Sequence, residues 1–477
     1  MVSTTKNTFY LLVAYTYQKL IALFYFIFLA RYLGVENFGK YTFAIYLPTL
    51  LAVLIDFGLF QVLTREIARD KSKAKQYFGN ILTFNLVAGS LVLFLIYGLI
   101  NASDYPTVTK ILVYLNGLVI FFESLALGIY QVFRGHLNLK YESIGIIIHK
   151  TIMLIVGLIL IFLKAPLVLM VLPLLLASFS YLVNAIVFLR KKLKLWPIPR
   201  FDRLVLKRLI IIGWPFFVAG LFGKIYATSD TILLSYLGED TFVGFYTAAQ
   251  KLTMAFLMLV AGSLATALYP AFSYYFVRSK EYFSQLFHQG VFYLMLLAMP
   301  LVFGLLILAK PIILFIYGQD FLPAVPSLMI LSLAIPFMFL DSIIAGFLNA
   351  ADKQKLNTLI HGIGAGIFII LNLFLIPRFY HLGAALSVLI SFFLLFLMEV
   401  YGVRKVIQID KMFFGKKVGL IFLASLMMGA VLLFTRDSLH LLLSVIIAMV
   451  VYFSVVYFLD LVKKQEILQL KKIIRFK

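Results

Sequence analysis

Apolar residues along this chain run in blocks of about twenty, with short polar breaks, from residue 9 to residue 459. Lipid requires every backbone N–H and C=O to be satisfied within the segment, so blocks of this length read as membrane-crossing helices. The pattern predicts spans at 9–30, 41–63, 79–100, 109–133, 143–163, 167–189, 209–234, 244–271, 288–309, 326–349, 357–376, 383–403, 418–435 and 439–459. The last two are short and joined only by Thr-Arg-Asp, so twelve helices plus a re-entrant pair is the alternative count.

Composition agrees with the pattern. Hydrophobic residues make up 63% and charged residues 13%, whereas soluble domains carry about 25% charged residues. Mean hydropathy is +1.04, and the blocks leave no room for a soluble domain. No cysteine is present, which excludes disulfides, thiolate metal ligands and a cysteine nucleophile. The opening residues, MVSTTKN, run straight into the first block without a small-residue cleavage site. They are expected to begin a retained helix, not a signal peptide.

Positive charge sets the expected orientation, because short cytoplasmic loops keep an excess of Lys and Arg. With the N-terminus inside, the inner segments are 1–8, 64–78, 134–142, 190–208, 272–287, 350–356, 404–417 and 460–477, and they hold 31 of the 42 basic residues. The outer loops hold 6 and the helices 5. The net charge of +22 is therefore a topology signal. Spread over eight segments without an arginine-rich motif, it does not indicate a nucleic-acid partner. A multi-pass protein of the cytoplasmic membrane with both termini cytoplasmic is expected. The tail Asp460–Lys477 is expected to lie along anionic inner-leaflet lipids.

The longest inner loop, Arg190–Arg208, follows the sixth span and divides the chain into similar halves. Tyr32–Ala44 reads YLGVENFGKYTFA, and Tyr236–Ala249 reads YLGEDTFVGFYTAA. With one inserted residue, Tyr-Leu-Gly, an acidic position, Phe, Gly, Tyr-Thr and Ala coincide, which points to a duplication. Halves six helices apart enter the membrane the same way round. The expected fold class is an all-α integral membrane protein of about fourteen transmembrane helices, with two parallel six-helix lobes around a central cavity plus two C-terminal helices. The expected boundaries are 1–189, a linker at 190–208, 209–403, and an appended pair with basic tail at 404–477.

No GxxxxGK[ST], HExxH, GxSxG or Asp-x-Asp motif is present, and no cofactor is implied. Enzyme chemistry is thus the weaker expectation and transport the stronger. Nine charges fall at membrane depth: Lys19, Lys150, Lys224, Lys251, Asp56, Glu123, Asp230, Asp341 and Glu399. Each costs at least about 2.5 kcal/mol near a helix centre unless paired or hydrated. Lys19 lies 15 residues before Gly34 and Lys224 14 before Gly238, equivalent places in the repeat. They are the expected substrate-binding cations, suited to an anion such as a diphosphate. Structural ion pairs to Asp56 or Glu123 are the plainer reading. Asp230 and Asp341 are further ion-pair or coupling candidates. His149, His288 and His361 lack a second His at ligand spacing, so packing roles and no metal site are expected. Pro48, Pro173, Pro215, Pro300 and Pro336 are expected to interrupt helices, and Gly362, Gly364 and Gly366 to allow close helix packing.

Leu29–Ala44 with Asp56–Arg69, and Gly213–Leu252, resemble the first two and the seventh and eighth helices of the polysaccharide or O-antigen flippases. That family lies within the multidrug/oligosaccharidyl-lipid/polysaccharide exporter superfamily. Matching positions include Arg31, Gly34, Gly39, Asp56, Gly58, Arg65, Pro215, Asp230, Gly238, Gly244 and Tyr246. Most of these set helix ends and packing. The resemblance implies two six-helix lobes and a substrate that is a polyprenyl-diphosphate-linked oligosaccharide, flipped from the inner to the outer leaflet by alternating access. It also implies glycosyltransferases or a glycan polymerase as working partners. A drug/cation antiporter of the same fold would place a carboxylate deep in the first helix, which offers Lys19 and no acid. A membrane-embedded sugar transferase is disfavoured by the short outer loops.

Overall fold

The computed structural model describes residues 4–436 and 438–462. The expected placement of the basic tail falls, from residue 463 onward, outside the described residues, as do residues 1–3 of the opening segment. The described residues are helical, with no strand among them. The helices are α1 (Thr4–Asp56), α2 (Leu59–Arg69), α3 (Ala74–Asn101), α4 (Thr107–Gly135), α5 (Lys140–Phe162), α6 (Leu172–Leu193) and α7 (Arg203–Leu237). They continue as α8 (Asp240–Phe256), α9 (Gly262–Arg278), α10 (Lys280–Ile316), α11 (Val325–Ala350), α12 (Gln354–Arg404), α13 (Lys411–Thr435) and α14 (Leu441–Phe458).

Twelve helical stretches among the described residues are long and apolar enough to cross a membrane. Two of them, Phe9–Arg69 with 61 residues and Gln354–Arg404 with 51, are far longer than the roughly twenty residues one crossing needs. Each is broken where the sequence predicts a loop. In α1 the break is Gly34, with φ 70° and ψ 175°, a left-handed backbone that a side chain would strain. In α12 it is Tyr380, with φ 49° and ψ −124°.

The polar breaks are shorter than expected because interfacial residues extend the helices. Residues 272–287, read as an inner loop, are helical on both sides of Ser279, whose hydroxyl accepts the Tyr282 N–H and caps α10. The span expected to reach residue 63 stops at Asp56, because the chain turns at Phe57–Gly58 and Asp56 Oδ1 accepts the Phe60 N–H at 2.9 Å, starting α2. Pro173 does not interrupt a helix. It sits in the first turn of α6, where its missing N–H costs nothing. Gly366 has no atom within 4 Å of where a Cβ would stand, so it serves no close packing.

Packing divides the chain into two compact units, Met1–Gly244 and Phe245–Lys477. The boundary expected from the repeat is the linker at 190–208. In the first unit Tyr130, Phe133 and Tyr181 form one buried aromatic group, and Tyr25, Tyr41 and Met170 belong to a second cluster. The Arg134 guanidinium donates twice to Glu142, at 2.7 and 2.5 Å, and once to Tyr15 Oη at 2.6 Å, tying α4, α5 and α1 together.

The two repeat motifs meet within this unit. A Cβ on Gly39 would overlap the carbonyl oxygen of Asp240, and one on Gly244 would overlap that of Val35. Each copy thus lays a glycine against the other's backbone. Just past the end of α1, Phe57 stacks on Phe217 of α7 at 4.2 Å. In the second unit Phe283 and Phe287 each lie 4.4 Å from Phe347. Here α13 and α14 are continuous helices of 25 and 18 residues, not the half-length helices of a re-entrant pair. They pack beside α10, where Tyr452 Oη donates to the Leu296 carbonyl at 2.7 Å.

Large apolar side chains also face outward, among them Phe94, Phe162 and Phe458 at 73–88% exposure. Several such faces on one molecule require an apolar surrounding medium, here lipid.

Candidate functional site

Five of the six candidate residues lie in the first unit: Lys19 on α1, Asp56 at its end, Glu123 on α4, and Lys224 and Asp230 on α7. Their helices are ordinary apolar crossings, and each charge interrupts an otherwise hydrophobic run. Lys224 is partly exposed, and the charges acting on it are those of Glu123 and Asp56. The pairing of an intramembrane lysine with these two carboxylates is what sequence reasoning offers as the plainer alternative for this residue. Lys19 is also partly exposed.

Glu123 is the hub of the group. It accepts from Ser178 Oγ of α6 at 3.3 Å, lies 3.4 Å from His149 Nε2 of α5, and interacts electrostatically with Lys150 of α5 and Lys224 of α7. Its side chain keeps 33% exposure. Residues from three helices, α5, α6 and α7, thus meet a partly exposed carboxylate on α4. His149 is buried and stacks on Tyr181 at 5.2 Å, a packing role combined with contact to the hub.

Asp56 divides its carboxylate between capping α2 and facing Lys224. Asp230 is fully buried and accepts from the Thr231 N–H at 2.6 Å and its hydroxyl at 3.3 Å. Asp341 belongs to the second unit, where its Oδ1 is 3.0 Å from His361 Nε2. The structure therefore groups Asp56, Glu123 and Lys224 within the first unit.

Sequence reasoning passes over Lys150 and His149 as partners of Glu123, and over the approach of His361 to Asp341. Depth in the membrane singles out each residue, but which helices meet is not written in the local sequence. The second unit also holds an apolar cavity of about 830 Å³, lined by Met295, Met299, Phe303, Phe337 and Phe422 with Arg404. Its chemistry suits a hydrocarbon chain.

Continuous apolar helices of crossing length, with lysines and carboxylates gathered at membrane depth, define a multi-pass helical membrane transport protein. Residues 4–276 match the family described as polysaccharide biosynthesis protein, and the chain belongs to that family. Residues 215–374 also match the family described as MatE.

Among similar proteins, an uncharacterised membrane protein of Methanocaldococcus jannaschii is 25% identical over 257 residues, 54% of this chain and 50% of that one. The chain thus spans half the length of that relative. The putative O-antigen transporter of Shigella flexneri is 26% identical over 404 residues, 81% of this chain and 94% of that one. Among solved structures, the lipid II flippase MurJ in an inward closed conformation superposes with a TM-score of 0.80 at 18% identity, covering 94% of this chain and 99% of that one. At that identity the likeness establishes the fold.

Proposed function

We propose that this protein flips a polyprenyl-diphosphate-linked oligosaccharide from the inner to the outer leaflet by alternating access, without catalysing a reaction. Membership of the polysaccharide biosynthesis family and the likeness to an O-antigen transporter support the substrate class. The observation that carries the mechanism is the partly exposed Lys224 facing Glu123, with Lys19 on α1 also partly exposed at the repeat-equivalent position.

Each lysine stands 14 or 15 residues from its motif glycine, about 21–22 Å along the helix axis, and the two motifs touch. This supports a common depth for the two cations. Fourteen crossings follow when the two overlong stretches are divided at their breaks. Both termini are then cytoplasmic, in the cytoplasmic membrane, with the two lobes defined by the repeat. Glycosyltransferases or a polymerase would supply and consume the substrate, and anionic lipids would hold the basic inner surface.

A lysine facing a phosphate in a partly hydrated site contributes about 1.5–3 kcal/mol, roughly tenfold to a hundredfold in affinity. Lys19→Ala and Lys224→Ala should each strongly reduce glycan export at normal protein levels, while Lys→Arg retains part of it. Wild-type export from both alanine variants would remove the two lysines from the mechanism. The match of residues 215–374 to the MatE family favours a second reading, a drug/cation antiporter. Drug resistance that survives both alanine substitutions would select it.

A further inference from the structure

His361 on α12 lies with Nδ1 3.0 Å from the carbonyl oxygen of Asn357, four residues earlier. A carbonyl only accepts, so that contact fixes the proton on Nδ1 and leaves the lone pair of the neutral ring on Nε2. Nε2 points at Asp341 Oδ1 of α11, 3.0 Å away. Two lone pairs at that distance need either a shared proton or a cation between them. Glu399, from the second half of α12, completes the group. It is 0% exposed, no other donor reaches its carboxylate oxygens, and its carboxyl lies close enough to that of Asp341 to share a proton with it. One ligand atom from each residue lies within 4.8 Å of the other two.

We infer that Asp341, His361 and Glu399 form a binding site for one divalent transition-metal cation of the zinc class. With the shared protons displaced, two carboxylates and a neutral imidazole sum to two negative charges in an apolar interior, which one divalent ion cancels. The imidazole excludes hard cations: sodium, magnesium and calcium take oxygen ligands, whereas zinc takes imidazole and carboxylate together. The Nδ1–H donated to a backbone carbonyl is the supporting contact that orients a metal-ligating histidine. Zinc bonds of about 2.0–2.2 Å bring ligand atoms to roughly 3.4 Å apart in a tetrahedron, so closure needs a shift of about 1 Å, with a water as fourth ligand. The bound ion would join α11 to both halves of α12 across the Tyr380 break. Nothing in this inference depends on what the protein translocates.

The test uses the full chain, purified in detergent and stripped of metal at neutral pH, titrated calorimetrically with zinc chloride and separately with magnesium and sodium chloride. The expected result is one saturable zinc per chain, no binding of magnesium or sodium at the site, and a higher unfolding temperature with zinc. Glu399→Gln removes only a charge and His361→Gln keeps a polar group. Each should weaken zinc binding at least about a hundredfold, the upper end of what losing even a supporting contact costs. Asp341→Asn serves if either variant fails to fold. Absence of saturable zinc binding by the wild type would overturn the inference and leave the cluster holding protons alone. Undiminished binding by the variants would also overturn it, placing the metal elsewhere.

Discussion

At the scale of single residues, the strongest polar contacts of the first unit are structural. Glu142 is 1% exposed and meets Arg134 through two hydrogen bonds. Removing one partner of such a pair leaves an uncompensated buried charge. Arg134→Ala should therefore lower stability by about 3–5 kcal/mol, read as a large fall in the unfolding temperature of the detergent-solubilised protein. Glu142→Gln, which keeps hydrogen-bonding capacity, should cost less. A thermal midpoint unchanged by Arg134→Ala would show the pair to be dispensable. This contact was not legible in the sequence, where both residues fall in an expected inner loop and look like topology charges. The charges at membrane depth were legible, because each interrupts an apolar run. Depth also named Asp56 and Glu123 as partners for an intramembrane lysine, and both act on Lys224. Partnerships such as Glu123 with His149, or Asp341 with His361, depend on which helix faces meet.

At the scale of helices, apolar block length located the crossings well, and the polar breaks located the kinks at Gly34 and Tyr380. Helix ends were less readable, since residues such as those around Ser279 are helical on both sides while looking like loop. The repeat motif was visible as sequence, but its two copies packing on each other was not. Gly39 and Gly244 each lack space for a methyl group against the opposite backbone. Gly39→Ala and Gly244→Ala should each destabilise by about 1–3 kcal/mol as the helices are pushed apart. Gly366→Ala, at an open position, should leave the unfolding temperature unchanged or slightly raised. Equal melting of all three variants and the wild type would contradict the packing described.

At the scale of the whole molecule, composition and charge distribution carried the class, and the asymmetry of Lys and Arg supports the proposed orientation. Cysteine-scanning can test it without background, because the chain has no cysteine of its own. Lys191 and Glu239 are both exposed. A cysteine at Glu239 should react with an impermeant reagent in intact cells, whereas one at Lys191 should react only after permeabilisation; the reverse pattern would invert the topology. The glycine crossing also limits how the two copies of the motif can drift apart. A clash between two side chains can be repaired by shrinking either one. Here the opposing atoms are the carbonyl oxygens of Asp240 and Val35, which every amino acid carries, so no second-site replacement across the contact restores the fit. A suppressor screen begun from Gly39→Ala should return true revertants, or changes that reposition a helix, and none at Asp240.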